Sequence, residues 1–322
     1  MQNLPVSTII PVRNEAKTLN ELFASLDALS PKPVEVVFVD TGSEDGSVEL
    51  IAAWVARAEK VGIQGRLCQQ TGAYPGAARN VGVKAASQPW IAFLDAGIAP
   101  HADWLGKLWA CRQKKDAMAV YGVCRFHSVD PWGGMICAIS YGQGRTTPVL
   151  PASLFHREVF ERAGYFEEGL RSGEDIRWKQ RLVAAGIQAQ ECNEALVEYG
   201  HFPNSLGRAL KKWFVYEQSA TVAGLGGVRR ISMLFAIAML YCLAAFGVAG
   251  APVALTGYLL LRGVVDPLRR SVVRPWWRHW WQPLAMIPTA ALLDLAVLAG
   301  RLTAMLGMGG FQLNEKSDVR GE

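Results

Sequence analysis

Two apolar segments in the first third of the chain each run straight into an aspartate. Val34–Val39 leads into Asp40, and Trp90–Leu94 leads into Asp95. A short apolar run bounded by turn residues reads as a strand buried on both faces. Strands of that kind belong to open sheets covered by helices, and such sheets bind ligands at the carboxyl ends of their strands. Two acids delivered to one sheet edge constrain this chain more than any other feature. Taken alone, Asp95 before Gly97 has a plainer reading as a turn residue.

The neighbouring segments supply the context. Pro5–Val12 is rich in β-branched residues and reads as a first strand, ended by Arg13-Asn14-Glu15. Leu19, Leu22, Phe23, Leu26 and Leu29 recur at helical spacing, until Pro31 and Pro33 break the pattern. The turn-rich stretch Thr41–Ser47 follows the second strand and opens a helix to about Glu59. Ile63–Gln69 is a weaker strand, and Ala77–Ala86 is a helix of small residues leading into Trp90. This alternation predicts a parallel sheet with helices on both faces. Further on come a helix over Pro100–Cys111 and a strand over Val120–Phe126. Residues 127–150 are rich in Gly and Pro and read as a loop or lid for the acceptor. A short helix over Arg157–Ala163, a helix from Asp175 closed by Gly186, and a strand over Ala195–Tyr199 lead to His201.

Apolar residues make up 51% of the 322, and the excess lies in residues 231–308. Ile231–Gly250 carries no charge and is long enough to span a bilayer. Val253–Val265 completes a hairpin, and Leu284–Met308 is a third apolar run interrupted by Asp294 and Arg301. An acid in such a run needs a partner, and Arg301 on the same helix face is the expected one. Arg208, Lys211, Lys212, Arg229 and Arg230 precede the first run, and Arg269, Arg270, Arg274 and Arg278 precede the third. That placement satisfies the positive-inside rule, with Trp276, Trp277, Trp280 and Trp281 at headgroup level. The net charge of +5 therefore points to anionic lipid, and nucleic acid is not an expected partner. The start of the chain lacks a basic region followed by an apolar core, and the six cysteines show no metal-ligand spacing. The expected organisation is a cytoplasmic catalytic domain over 1–205 and a juxtamembrane amphipathic connector over 206–230. A membrane domain over 231–308 follows, made of a hairpin (231–265), a basic, Trp-rich interfacial segment (266–282) and a third helix (283–308). A disordered tail over 309–322 ends the chain. The expected location is the inner (cytoplasmic) membrane, multi-pass.

Several of these stretches together resemble a known family. Thr8-Ile9-Ile10-Pro11-Val12-Arg13-Asn14-Glu15 resembles the opening strand of family 2 glycosyltransferases with the GT-A fold. Asp40-Thr41-Gly42-Ser43-Glu44-Asp45-Gly46-Ser47 resembles their second-strand signature, and Ala78-Arg79-Asn80-Val81-Gly82 their Ala-Arg-Asn-x-Gly helix start. Phe93-Leu94-Asp95-Ala96-Gly97 resembles their Phe-Leu-Asp-x-Asp segment, Gly173-Glu174-Asp175 their Glu-Asp motif, and His201 their late histidine. The motifs keep the family order across roughly residues 5–205.

The resemblance implies a Rossmann-like mixed sheet flanked by helices, followed here by C-terminal transmembrane helices. It implies inverting transfer of a sugar from a nucleotide-diphosphate donor, a UDP- or GDP-sugar. Asp175 becomes the catalytic base, with Glu174 beside the acceptor. Pro11, Arg13, Glu15, Asp40, Arg79 and Asp95 become the donor-binding set, with Asp40 on the base. Asp95 and His201 become the ligands of Mg2+ or Mn2+. A diphosphate is a good leaving group once its charge is offset, and an acceptor hydroxyl must lose a proton as it attacks. The membrane segment implies a lipid acceptor such as a polyprenyl phosphate. Gly97 departs from the pattern, because the second aspartate of Asp-x-Asp usually holds the metal. That departure keeps a rival reading open, a catalytically silent membrane protein that binds a nucleotide sugar as sensor or scaffold. The single residues also have plainer readings: Glu174 as a helix N-terminal charge, His201 as a surface histidine, Arg79 as a solvated helix charge, and Trp178 as core.

Overall fold

The computed structural model describes residues 3–225 and 228–308; the side chains at 228–235 and 238 are not described. The tail expected at 309–322 lies outside the described residues. In chain order the elements are β1 (Leu4–Val12), α1 (Leu19–Ala28), β2 (Pro33–Asp40), α2 (Ser47–Ala58), β3 (Gln64–Gln69), α3 (Pro75–Ala85) and β4 (Trp90–Phe93). Next come β5 (Ala99–Pro100), α4 (Trp104–Lys115), β6 (Ala119–Phe126), α5 (Pro131–Ser140), β7 (Thr146–His156), α6 (Glu158–Ala163), α7 (Glu174–Ala184) and β8 (Gln190–Tyr199). The C-terminal part holds α8 (Leu206–Val222), α9 (Val228–Ala245), α10 (Ala251–Leu260), α11 (Asp266–Arg270) and α12 (Trp281–Met305).

The strands form one sheet in the order β3-β2-β1-β4-β7-β6-β8-β5. The β3-β2-β1-β4 half is parallel, as the strand–helix alternation predicts. The other half departs from that prediction: β7 runs antiparallel to both β4 and β6, and β5 runs antiparallel to β8. β7 follows the α5 excursion and returns against β6 without the helical crossover that a parallel partner requires. The register puts Val12 opposite Asp40 and Ile9 opposite Phe93. Asp95, just beyond Phe93, therefore shares the carboxyl edge with Asp40.

Each sheet face is sealed by aromatic packing. Phe23, Phe38 and Trp54 pack at centroid distances of 5.4–5.9 Å on one side. On the other, Trp178 is fully buried and lies 4.6 Å from Phe166 and 5.2 Å from Phe160. Trp178 is thus core and not a sugar platform. Full burial of one such ring stabilises by about 1.5–3 kcal/mol.

One expectation is corrected here. Residues 127–150 are not one long loop: α5 and the start of β7 lie within them. Asp130 caps α5 by accepting the Gly133 N–H at 2.7 Å, and Gly133–Ile139 are all buried. The Gly and Pro content belongs to a helix start under tight packing: a Cβ on Gly133 would meet Ser128 Oγ at 2.5 Å. Among the described residues, one helix is long and apolar enough to cross a membrane, α12, with a mean hydropathy of 1.7. The short α10 continues through a π-helical turn (Leu261–Val265) into the charged α11.

α12 lies along α8 closely enough that a Cβ on Gly300 would meet the Phe214 carbonyl oxygen at 2.3 Å. This contact turns Arg301 onto α8, where it pairs with Glu217 at 2.8 Å, both side chains buried. Asp294 faces the other way. It receives the Tyr258 O–H at 2.6 Å and the Arg262 guanidinium at 2.9 Å. The expected Asp294–Arg301 pair is therefore not formed. The two residues sit about two turns apart on α12, and each meets a nearer partner on a different helix.

Candidate active site

The two loops that follow β1 and β2 are clasped together at the carboxyl edge. The Asn14 N–H donates to Ser43 Oγ at 2.8 Å, the Glu15 N–H to Ser47 Oγ at 2.9 Å, and the Ala16 N–H to Asp45 Oδ2 at 3.0 Å. In return, the Glu44 N–H donates to Asn14 Oδ1 at 2.8 Å. Asp40 is 2% exposed, and its carboxylate accepts the N–H groups of Gly42 at 2.9 Å and Ser43 at 3.1 Å. The turn it stabilises needs the positive φ of 97° that Gly42 supplies. Pro11 is half-buried beside it, and Arg13 is exposed on the rim.

The Arg79-Asn80 dipeptide of α3 holds the next layer. Arg79 is 4% exposed and donates from Nη1 to Glu174 Oε1 at 2.6 Å and from Nη2 to Asp95 Oδ1 at 2.9 Å. Burial opposes the charge on Arg79, but Asp95 and Glu174 outweigh it and keep the guanidinium ionised. The reading of Arg79 as a solvated helix charge is excluded. Asn80 takes the Phe166 N–H on Oδ1 and gives its own N–H to the Phe166 carbonyl, both at 2.9 Å. Close approach of α3 depends on glycine: a Cβ on Gly82 would meet Ile9 Cγ2, and one on Gly76 the Glu167 carbonyl, each at 2.3 Å.

The two acids at the head of α7 have different environments. Glu174 is 6% exposed; burial pushes its carboxyl up, Arg79 pulls it back, and Asp175 adds to the rise. Asp175 is half-buried and accepts the N–H of Ile176 at 2.8 Å; among the described residues it has no ion-pair partner. Its charge is felt by Tyr121, Tyr141 and Tyr216, whose hydroxyls are held neutral chiefly by burial. The turn before α7 is fastened to α8. Ser219 Oγ accepts the Ser172 N–H at 2.9 Å and donates to the Ser172 carbonyl at 3.0 Å.

Gly97 occupies a corner of the site. A Cβ there would sit 3.9 Å from Glu15 Oε2, 3.9 Å from a Tyr199 ring carbon and 4.0 Å from the His201 ring. These are ordinary contacts. The Glu15 carboxyl is pushed up by burial, against the Thr18 hydroxyl that donates to it at 2.9 Å and the nearby His201. His201 stands 3.4 Å from Glu21 Oε2. A cleft of about 410 Å3 opens here, lined by Gly97, Glu21, His127, Glu198 and His201. Among the described residues no group of three His, Cys, Asp or Glu side chains converges to hold a metal ion. Asp95 gives one oxygen to Arg79 and is 41% exposed in its side chain, so its second oxygen remains available. A Mg2+ ion keeps most of its waters and needs only one or two protein carboxylates. The donor set therefore suits a cation that arrives with a phosphate and does not suit a resident one.

The site also contains residues that sequence reasoning passed over. Lys212 stands beside the Tyr199 and Tyr216 rings, and Tyr199 reaches the Gly97 corner. Lys212 Nζ donates to the Tyr199 hydroxyl at 3.2 Å. Burial first, then the nearby Arg171, lowers its pKa to about 8, and Glu15 opposes that shift. In the sequence, Lys212 sits among the charges that precede an apolar run, a position that reads as lipid-facing. The one signal for its real place is Tyr216, a turn further along the same helix.

Acids carried to one edge of a mixed α/β sheet, a guanidinium tying two of them, and a carboxylate without an ion pair at the head of α7 define a nucleotide-binding group-transfer fold. Residues 7–165 match the model of Glycosyl transferase family 2. Over those residues the chain is similar to that family, and it is a glycosyltransferase. It is 29% identical to Glycosyltransferase AglE of Haloferax volcanii over 65% of this chain and 70% of that protein. It is 30% identical to the Pre-mycofactocin glycosyltransferase of Mycobacterium tuberculosis over 61% of this chain, but the match spans only 43% of that longer protein. Among solved structures, mannosyltransferase PcManGT from Pyrobaculum calidifontis, in complex with GDP-Man and Mn2+, superposes with a TM-score of 0.58 at 19% identity. That match covers 91% of this chain and 88% of that one. S. aureus TarS 1-349 in complex with UDP-GlcNAc gives 0.51 at 15% identity, covering 97% and 98%. These likenesses establish the GT-A-like fold.

Proposed function

We propose that the protein is an inverting glycosyltransferase that takes a sugar from a UDP- or GDP-sugar and passes it to a lipid acceptor at a membrane surface. The observation that carries this reading is the contrast at the head of α7. Glu174 is locked to Arg79, while Asp175, the next residue, has no cationic partner among the described residues and lies among tyrosines. A base must keep a free lone pair for the proton it removes.

On this reading the nucleotide lies across the carboxyl edge of β1, β2 and β4. Asp40 meets the base with the lone pairs its loop leaves, and Pro11, Arg13 and Glu15 line the pocket. Asp95 approaches the ribose and phosphates, with Arg79 fixing its position and joining it to Glu174. Asp175 then accepts the acceptor hydroxyl's proton as the new glycosidic bond forms and the bond to the diphosphate breaks. If the acceptor is itself a phosphate, no proton is removed, and Asp175 orients the attacking oxygen. A Mg2+ or Mn2+ ion brought by the donor would be held by Asp95 and His201, and when bound it offsets charge on the leaving diphosphate. The solved neighbours with GDP-Man and Mn2+ or with UDP-GlcNAc support this donor class.

The lipid acceptor and membrane attachment rest on the C-terminal helices. Trp280 is 81% exposed and Leu284 67%, close in the chain to Arg274 and Arg278. Apolar side chains beside arginines suit the level of anionic headgroups. On this reading the catalytic part faces the cytoplasm. The silent-binder alternative draws on Gly97 alone.

The deciding experiment incubates detergent-solubilised full-length protein with UDP- and GDP-sugars, Mn2+ and undecaprenyl phosphate, and follows nucleotide release and glycolipid formation. Release that disappears in Asp175→Asn supports transfer. Nucleotide-sugar binding without release in the wild type would establish the silent reading instead.

A further inference from the structure

Lys212 on α8 and Arg171 stand in one neighbourhood, because Ser172, next in the chain to Arg171, donates to the carbonyl of Tyr216 on α8 at 3.1 Å. Lys212 on α8 is half-buried, and its Nζ lies 5.6 Å from the Tyr199 ring centre, 5.7 Å from Trp213 and 5.5 Å from Tyr216. Its hydrogen-bond partner is the Tyr199 hydroxyl, which itself donates to the His201 carbonyl at 2.9 Å. Arg171 is exposed and close enough to disfavour the charge on Lys212. Among the described residues neither cation has a carboxylate at ion-pairing distance. Aromatic faces attract a cation, but they do not neutralise it. Holding two like charges together, one of them partly desolvated, opposes folding unless something else requires it.

The position of this pair gives the reason. Tyr199 touches both Lys212 and the Gly97 corner, and Tyr216 feels Arg171, Asp95, Glu174 and Asp175 together. Lys212 therefore reaches the Gly97 corner through Tyr199, and Arg171 adjoins the turn that Ser172 ties to α8 beside Asp175. The site's other buried cation, Arg79, is already neutralised by Asp95 and Glu174. At Gly97 the chain lacks the carboxylate that would strengthen a metal's hold. An anionic ligand on this side of the site thus meets Lys212 and Arg171, neither of them ion-paired among the described residues.

We propose that Lys212 and Arg171 form a phosphate-binding subsite, with the Tyr199 hydroxyl orienting the lysine, and that it takes over part of the charge neutralisation that a metal would otherwise provide. This rests on the glycosyltransferase reading, and it adds residues from α8 to a site otherwise built from the sheet. The phosphate comes either from the donor's diphosphate or from a phosphorylated lipid acceptor, and the two sources are separable.

Calorimetric titration of the full-length protein tests it. UDP and GDP serve as diphosphates, uridine and guanosine as phosphate-free controls, and farnesyl phosphate as a soluble prenyl monophosphate. The variants are Lys212→Met and Arg171→Gln. Loss of one charge-assisted contact weakens binding by about tenfold or more. A loss of that size for UDP or GDP, with nucleoside binding unchanged, supports the subsite and assigns it to the donor. The same loss for farnesyl phosphate alone supports it and assigns it to the acceptor. Affinities within about twofold of wild type for all three phosphates in both variants overturn it, as does a parallel loss of nucleoside binding. Arg171 is exposed, so Arg171→Gln decides the matter if Lys212→Met fails to fold. Failure of the wild type to bind either UDP or GDP would instead strike the nucleotide-sugar reading, and the farnesyl phosphate arm would then decide the subsite by itself.

Discussion

Arg79 Nη1 lies 2.6 Å from Glu174 Oε1 across 95 residues of sequence, and both side chains are buried. The same guanidinium holds Asp95. Three of the family's motifs thus meet in one ion-pair cluster, and its role is to fix the geometry around Asp175.

Breaking that cluster should unfold the site before it alters chemistry. Arg79→Met leaves Glu174 buried without a counter-charge, and such losses cost about 3–5 kcal/mol. Thermal unfolding should show a large drop in Tm. Glu174→Gln keeps an acceptor oxygen for Arg79 and should lose less. Equal Tm values for wild type and Arg79→Met would refute this account.

Asp175→Asn should separate binding from turnover. Removal of a positioned general base lowers rates by about 10²–10⁴-fold. Donor affinity should remain near that of wild type, because Asp175 makes no bond that holds the fold beyond its neighbour's N–H. Equal turnover with a hydroxyl acceptor would count against its role as base.

Gly97→Asp should fit and should increase dependence on metal. The new Cβ meets only ordinary contacts of 3.9–4.0 Å, and Gly97 does not require positive φ. The added carboxylate completes an Asp-x-Asp pair at a corner where Glu15 and His201 already stand. UDP binding with Mn2+ should tighten relative to binding in EDTA, and the ratio should exceed that of wild type. An unchanged ratio would show that the corner does not face the metal.

Lys212 predicts opposite pH trends for affinity and stability. Its pKa of about 8 lies below the ordinary 10.5, so the folded protein binds the proton less tightly than the unfolded chain. Folding stability from this group therefore rises with pH between those two values. Phosphate affinity should fall over the same rise, because the charged lysine is the binding form. Burial raises the pKa values of the facing Tyr199 and Tyr216 hydroxyls, and the Glu15 carboxyl and the Arg171 guanidinium are the charged groups that face the lysine. UDP titrations at stepped pH should show the decline in wild type and not in Lys212→Arg.

Gly300→Ala should loosen α12 from α8. The added methyl meets the Phe214 carbonyl at 2.3 Å, and overpacking of this kind costs about 1–3 kcal/mol. Because α8 carries Lys212 and Tyr216, UDP affinity should fall alongside Tm. A stability loss with affinity untouched would show that α8 holds its place without α12.

The parts of the site legible in the sequence are those encoded locally. Asp40 and Asp95 end buried strands, and a strand end announces itself through pattern and turn residues. The Arg79-Asn80 and Glu174-Asp175 pairs stand at helix starts, where spacing is equally readable. What the pattern hides is contact between distant segments. Lys212 and Arg171 come together only because α8 packs against the turn before α7. Asp294 and Arg301 look like partners along one helix, yet each finds its ion pair across to another. The glycines of 127–150 imitate a loop because the close packing that demands them is tertiary.

The Ser172–Ser219 hydrogen bonds carry a practical lesson for anyone trimming this chain. A cut at residue 205, where the recognisable motifs stop, would strip α8 from the turn it fastens and uncover core shared with Ala209, Met286 and Leu293. The turn that presents Asp175 would lose its latch, and the anion-facing lysine would be gone. Such a fragment could keep every signature residue of the family and still report nothing about how the whole enzyme works.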